Sequence, residues 1–393
     1  QVENEYGSYG SDMDYVKKHL EVIQKELPGV VPFTSDGSND WMINNGTLPG
    51  IVPAMNFGGG AKGAFANLEK HKGKTPRLNG EFWVGWFDHW GKPKNGGSTE
   101  GFNRDLKWML ENNVSPNLFM AHGGTSFGFM NGANWEGAYT PDVTNYDYGA
   151  PISENGTLTQ RFHTFRKTIQ DYYGDTVKLP EPPPQPDMME LPPITFTEKA
   201  GMFARMPRPE IRKEPVHMEA LGQSLGFILY RTKVKGPVQG VLQMENMQDR
   251  AIVYVDGKRQ GTADRRYKQD SCDVNIPSGT HTVDILVENM GRINFGRQIL
   301  DERKGIRGPI TLNGNKLEYF AIYSFPCKGV GTLSFSGKNP GGDQPVFHRG
   351  YFNVSEPKDT YLDMRDGWKK GVVWVNGANL GRFWFIGSQQ ALS

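Results

Sequence analysis

Two glutamates, each closing a strand-like run, are the residues of this chain best placed to do chemistry: Glu5 in QVENEYG and Glu81 in RLNGEFWVGWF. On parallel strands such ends project to one rim. Two carboxylates about 5 Å apart let one attack an anomeric carbon while the other protonates the leaving oxygen. The attacking group has to be ionised, which suits polar surroundings. The acid has to keep its proton, which burial and a neighbouring negative charge both favour. Phe82, Trp83, Trp86, Phe87 and Trp90 give Glu81 an aromatic setting that suits the faces of a sugar. Spacing alone leaves the matter open, because solvated glutamates at strand ends are common in α/β chains. Glu3 also stays a rival, since under strict alternation it shares the face of Glu5.

The elements that must position these groups change character along the chain. Up to about residue 174, short strand-like runs alternate with amphipathic helices. Val2–Glu5 leads to SDMDYVKKHLEVIQKEL, where Met13, Val16, Leu20, Ile23 and Leu27 recur at helical steps before Pro28-Gly29. VVPF, IVPAMNF, RLNGEFWVGWF and SPNLFMAHGG read as the next strands, with Thr34–Trp41 as a loop and LTQRFHTFRKTIQDYYG as the closing helix. Repeated strand, loop and helix predicts parallel βαβ structure with polar and aromatic residues gathered on one rim. Five such units do not close an eight-stranded barrel, so either the sheet is open or units precede it.

The proline-rich stretch at 177–194 predicts an extended linker, and β-rich runs bounded by Gly, Asn and Asp turns follow it. AIVYVDGKRQG at 251–261 and GVVWVNGANLG at 371–381 look alike, each a hairpin with an Asp-Gly or Asn-Gly turn, which points to two related β-sandwich modules.

Composition narrows the function classes. A net charge of +1 with no Lys/Arg run offers no nucleic-acid patch, and no apolar stretch approaches the roughly 20 residues of a membrane span. Two cysteines, Cys272 and Cys327, exclude a disulfide-dense scaffold and a Cys-rich zinc site. GGGAKG lacks the spacing of a phosphate loop, and no HExxH occurs. His89 and His122 are expected to be structural. Sequons stand at Asn45, Asn155 and Asn353.

QVENEYGSYG, NGEFWVGWFDHWG, HGGTSFGFMNGAN with TNYDYGAPISENG, LVENMGRINFG and GWKKGVVWVNGANLGRFW together resemble glycoside hydrolase family 35, the β-galactosidases, in that family's order along nearly the whole chain. The resemblance implies the C-terminal part, about five βα units, of a (β/α)8 TIM barrel, followed by two β-sandwich modules of jelly-roll, galactose-binding-like type. The expected division is 1–176 for barrel strands 4 to 8, 177–194 for the linker, 195–316 and 317–393 for the β modules. It implies a retaining exo-glycosidase that removes terminal β-D-galactose, with Glu5 as acid/base and Glu81 as nucleophile. Asn4 would bind the sugar 2-hydroxyl, which requires alternation to break between Asn4 and Glu5, and Glu3 becomes a support behind the site. Tyr148 would contact substrate and donate to the nucleophile. Trp83 and Phe129 stand where family members carry tyrosines, so the sugar contacts they make are expected to differ. No metal or organic cofactor is implied.

By the same resemblance the chain reads as an internal piece of a longer enzyme, lacking three barrel strands before Gln1 and an end beyond Ser393, and inactive alone. A β-galactoside is the expected partner, with no nucleic acid and no membrane span. A secreted, periplasmic or lysosome-like location is expected. A carbohydrate-binding or structural β module on a non-catalytic remnant is the alternative, and exo-β-glucosaminidase the alternative within the class.

Overall fold

The computed structural model describes residues 1–392. Its first part is an open four-stranded parallel sheet, and each strand is followed by helix or loop on the way to the next. Helix α1 (Met13–Glu26) starts at Asp12, whose carboxylate accepts from Asp14 N and Tyr15 N. Its apolar stripe, with Val16 fully buried, packs on Val2, Leu48 and Ile51. Then come β1 (Phe33–Gly37), α2 (Asp40–Gly46), β2 (Val52–Phe57), α3 (Ala61–Lys72), β3 (Leu78–Trp83), α4 (Thr99–Glu111) and β4 (Leu118–Phe119). The strands pair in the order β1-β2-β3-β4, all parallel. Met55, Phe57, Phe65, Leu68, Phe82, Leu106 and Met109 form the core between sheet and helices. A short pair, β5 (Gly132–Trp135) and β6 (Tyr139–Pro141), precedes α5 (Gln160–Tyr173).

Two expected elements are corrected. Val2–Glu5 is no regular strand: it borders β1 through Val2 N to Phe33 O and Glu5 N to Ser35 O, both 2.8 Å. Glu3 and Glu5 adopt φ of 60° and 52°, a left-handed backbone that ends the extended run and feeds a one-turn 3-10 helix at Tyr6–Ser8. Secondly, β1 runs through Thr34, Ser35 and Asp36, assigned to a loop on their polarity. All three are buried, and α2 follows within the supposed loop.

Residues 177–195 contain no helix or strand, and beyond them the structure is β-rich. The strands Phe227–Met244 and Ser271–Glu288 pair antiparallel, flanked by the hairpin Arg250–Val255/Lys258–Asp264. Phe320–Phe325 adds to the same sheet, and Phe196–Gly201 pairs with Val346–Gly350, so pairing crosses the expected 316/317 boundary. The two look-alike hairpins share more than a turn. Asp256-Gly257 and Asn376-Gly377 all have positive φ, and each hairpin carries a register shift at the matching place, Val253/Tyr254 and Val373/Trp374. No helix among the described residues is long and apolar enough to cross a membrane.

Buried charges lock these parts together. Arg382, 1% exposed, directs its guanidinium to Glu288 Oε1 (3.0 Å), to Asn289 O (2.5 Å) and to Asn131 Oδ1. Lys370 meets the same Glu288 at 2.5 Å. Asn131 in turn donates to Met290 O (2.8 Å) and Asp142 O (2.9 Å). Burial alone would push the Glu288 carboxyl up, but Lys370 and Arg382 outweigh it and hold it at about 2. Removing one partner of a buried ion pair leaves the others uncompensated. Glu288→Gln is therefore expected to destabilise the protein by about 3–5 kcal/mol, read by urea unfolding at neutral pH.

Candidate active site

The polar residues that close the parallel strands meet at one mouth. Glu5 projects from the turn beside β1, and its Oε1 accepts from Asn56 Nδ2 at 3.0 Å. Asn56 ends β2, buried, and its Oδ1 accepts from Ser35 Oγ of β1 at 2.8 Å. Glu81, on β3, pairs in register with Asn56 and accepts from the Trp83 indole Nε1 at 2.8 Å. Burial raises the Glu5 carboxyl above its usual range; Asn56 opposes this and the charge of Glu81 adds to it. The charge of Glu81 thus reaches Glu5 across the mouth.

An aromatic wall stands over them. The loop through residues 142–150 brings Tyr148 against Trp86, Phe87 and Phe119, with Tyr146 stacked on it at 5.7 Å and 6°. Burial raises the Tyr148 phenol well above its usual value, and Tyr146, Glu81 and Glu5 push the same way. Tyr146 is likewise pushed up to about 12 by burial and by Asp142 and Glu81. Trp86 also meets Phe295, which arrives from the β-rich part. Arg161 of α5 fixes this wall: its guanidinium binds Val84 O beyond β3, Gly149 O beside Tyr148, and Gly96 O. Asn79 and Asn117 hold the strand under Glu81, through Asn79 Nδ2 to Met55 O (2.8 Å), Asn117 N to Asn79 Oδ1 (3.0 Å) and Asn117 Nδ2 to Gly80 O (2.7 Å).

The structure therefore brings together Glu5, Glu81, Trp83 and Tyr148. The donor to Glu81 is the Trp83 indole rather than the Tyr148 phenol expected for it. Asn4 is exposed and accepts from Gln1 Nε2 at 2.7 Å. Two expectations are corrected. Glu3 turns away from Glu5, because its left-handed backbone directs it to Tyr15 of α1, whose hydroxyl it accepts at 2.5 Å. Phe129 lies in the packing between parts, 7% exposed, with the Arg382 guanidinium 4.8 Å over its ring and Phe227 and Trp374 at its sides. That leaves it no free face for a sugar. His89 is buried against Asn134 (2.8 Å) and Asp142 (3.3 Å), and His122 meets Glu154 O at 3.3 Å.

Sequence reasoning missed Ser35, Asp36, Asn56 and Arg161 as members of this site. The first three sit in TSDG and AMNF, polar ends of buried strands, which is the signal that could have found them.

Comparison with known proteins follows the same order along the chain. The pattern for "Glycosyl hydrolases family 35" matches residues 1–172. "Beta-galactosidase, first all-beta domain" matches 215–326, and "Beta-galactosidase, galactose-binding domain" matches 345–393. The chain belongs to glycosyl hydrolases family 35. It is 42% identical to a protein of Xanthomonas manihotis named "Beta-galactosidase", over all of this chain and 66% of that one. Human "Beta-galactosidase-1-like protein 2" is 36% identical over all of this chain and 63% of its own length. The dog "Beta-galactosidase" is 34% identical over 98% of this chain and 61% of its own. The chain thus spans somewhat less than two thirds of these family members. A mixed α/β part followed by all-β parts is common to the family patterns and to the structure described above.

Asp36 supplies a test of how this family member buries charge beneath its mouth. It is 1% exposed, accepts from Gly7 N at 2.9 Å, and burial with the nearby Glu5 raises it from 3.8 to about 6. The folded chain then holds this proton to higher pH than the unfolded chain does. Stability is lost as pH rises from about 4 to about 6 and is flat in this group above that window. Asp36→Asn keeps an acceptor for Gly7 N and removes the titration. The variant is expected to lose that slope in denaturant unfolding measured between pH 4 and pH 7.

Proposed function

We propose that the protein is a retaining exo-β-galactosidase, with Glu5 as acid/base and Glu81 as nucleophile. The observation that carries this reading is the convergence of these carboxylates on one mouth, Glu5 beside β1 and Glu81 on β3 with Asn56 of β2 between them, where the charge of Glu81 reaches Glu5. Glu5, raised by burial and by that charge, gives its proton to the glycosidic oxygen while Glu81 attacks the anomeric carbon. Water then releases the sugar, with Glu5 taking its proton, so the configuration is retained. Trp83 holds Glu81 in line, and the half-buried Trp86 and Tyr146 offer a ring face and a hydroxyl to the sugar, with Tyr148 buried behind them. Asn4 would reach the 2-hydroxyl by exchanging its bond to Gln1.

Within this reading residues 1–176 are the later part of a (β/α)8 barrel, 177–194 the linker, and 195–316 and 317–393 the two jelly-roll modules. The strand Phe320–Phe325 argues for moving their boundary past residue 325. The substrate class is supported by the printed names of the relatives, all at partial length. A secreted, periplasmic or lysosome-like site remains the proposed location, and the Asn353 sequon lies on an exposed stretch.

In the complete protein, Glu81→Gln and Glu5→Gln are each expected to lower kcat for a nitrophenyl β-galactoside by a factor on the order of 1,000 or more. Near-normal turnover by either variant would overturn its assignment. The 393-residue chain alone keeps its sheet open, and it is expected to show no turnover of the same substrate. A panel of nitrophenyl glycosides on the complete protein separates galactose from glucosamine as the sugar removed.

A further inference from the structure

Asn56 is the one side chain that donates to Glu5 among the described hydrogen bonds, and it does so from an unusual position. It is an amide at the inner end of a buried strand, 1% exposed, where an unbonded polar group would be costly. Both ends of the amide are engaged. The Ser35 hydroxyl, itself 2% exposed, donates to Oδ1 at 2.8 Å, and Nδ2 is thereby turned toward Glu5 Oε1. The acceptor-only carboxylate selects the amide orientation, because the flipped amide would present an oxygen to it, and the Ser35 hydroxyl then holds that orientation by donating to Oδ1.

The backbone makes room for this arrangement. A Cβ at Gly80 would stand 2.4 Å from Ser35 Oγ and 2.6 Å from Asn56 Oδ1, so β3 passes the pair only with glycine there. The shift in register between β2 and β3 falls at Met55/Asn56 and sets Asn56 beside Glu81. Three adjacent strands therefore each contribute one feature to a single hydrogen-bond chain, Ser35 to Asn56 to Glu5, with Gly80 clearing the space.

We propose that Ser35 and Asn56 are positioning residues that aim one N–H at Glu5 and thereby set both its orientation and the pH range in which it delivers its proton. The inference rests on the reading of Glu5 as acid/base. The amide donor favours the ionised carboxylate and works against burial and the charge of Glu81. The other titratable groups facing Glu5 are Asp36 from β1 and Tyr148 from the wall, both of which respond to its charge. Loss of the amide donor should leave Glu5 protonated to higher pH. In a retaining glycosidase that moves the alkaline limb of kcat/KM upward while the peak rate falls, because the acid is less well aimed.

The test is a set of pH–rate profiles on the complete protein for wild type, Asn56→Ala, Ser35→Ala, Ser35→Thr and the double alanine variant, with thermal unfolding to confirm folding. On the alkaline limb Asn56→Ala is expected to retain about threefold more of its own peak kcat/KM than wild type does, from loss of a hydrogen bond to a charged group. Ser35→Ala should move the limb the same way by less, and Ser35→Thr should restore it. The double variant should match Asn56→Ala alone, because Ser35 acts only through the amide. An unmoved limb in Asn56→Ala, or a Ser35→Ala shift that persists without Asn56, would overturn the proposal. Should Asn56→Ala fail to fold, the contrast between Ser35→Ala and Ser35→Thr decides: a shift restored by threonine supports the chain, and identical limbs refute it. Glu5→Gln separates the two levels. If it stays active with the limb intact, the acid/base reading fails; if it is inactive and the limb ignores Asn56, only the positioning chain fails.

Discussion

The structure depends on one guanidinium taken out of water. Arg382 is surrounded by a carboxylate, a side-chain amide oxygen and a backbone carbonyl, supplied by two distant stretches of chain, Glu288-Asn289 and Asn131. A charge so placed is tolerable only while all its partners stay, so the parts that supply them cannot separate cheaply. The constraint reaches the mouth through the backbone as well. Thr144 Oγ1 donates to Arg382 O (3.1 Å) and accepts from Arg382 N (2.9 Å), two residues before Tyr146 and four before Tyr148. A side chain at Gly381 would drive into Thr144 at 2.3 Å, so the close approach requires glycine. The aromatic wall is therefore braced from α5 by Arg161 and from the β-rich end by the strand of Arg382.

Much of the architecture was legible from periodicity. The apolar spacing of Met13, Val16, Leu20 and Ile23 translates directly into the face that α1 packs on Val2 and Leu48. Strand β1 was misplaced, expected at VVPF but running over Phe33–Gly37, since Thr34, Ser35 and Asp36 carry no hydrophobic signal. Their burial comes from facing the polar mouth of a parallel sheet, an environment that single-residue hydropathy does not encode. The same cause hid α2, which begins where a loop was expected. Pairing across distant sequence was equally silent, as with Phe196–Gly201 and Val346–Gly350.

At the site, the residue types of Glu5 and Glu81 and their place on one rim were readable, but the turn that carries Glu5 and the neighbours of both were not. Which amide reaches Glu5 is decided by register and by the irregularity at Met55/Asn56, a property of three strands at once. Backbone conformation decided the rest. A left-handed turn at Glu3 and Glu5 sends one glutamate to Tyr15 and the other to Asn56, although alternation would have put them on one face. Phe129 shows the converse, an aromatic residue in a glycine-rich loop whose ring was claimed by a cation before any ligand could use it.

The paired hairpins bear on how such a brace could arise. Each has the same turn, the same shift and a glycine in the matching place, Gly261 and Gly381. The next residue is Thr262 in one and Arg382 in the other. Thr262 is a half-buried residue near a sheet margin, whereas Arg382 is a fully enclosed charge where the parts meet. The two hairpins share their turn and register shift although the side chain at that position differs. One backbone shape thus serves as a sheet margin with threonine and as a joint between parts with arginine, so here the side chain rather than the element does the joining.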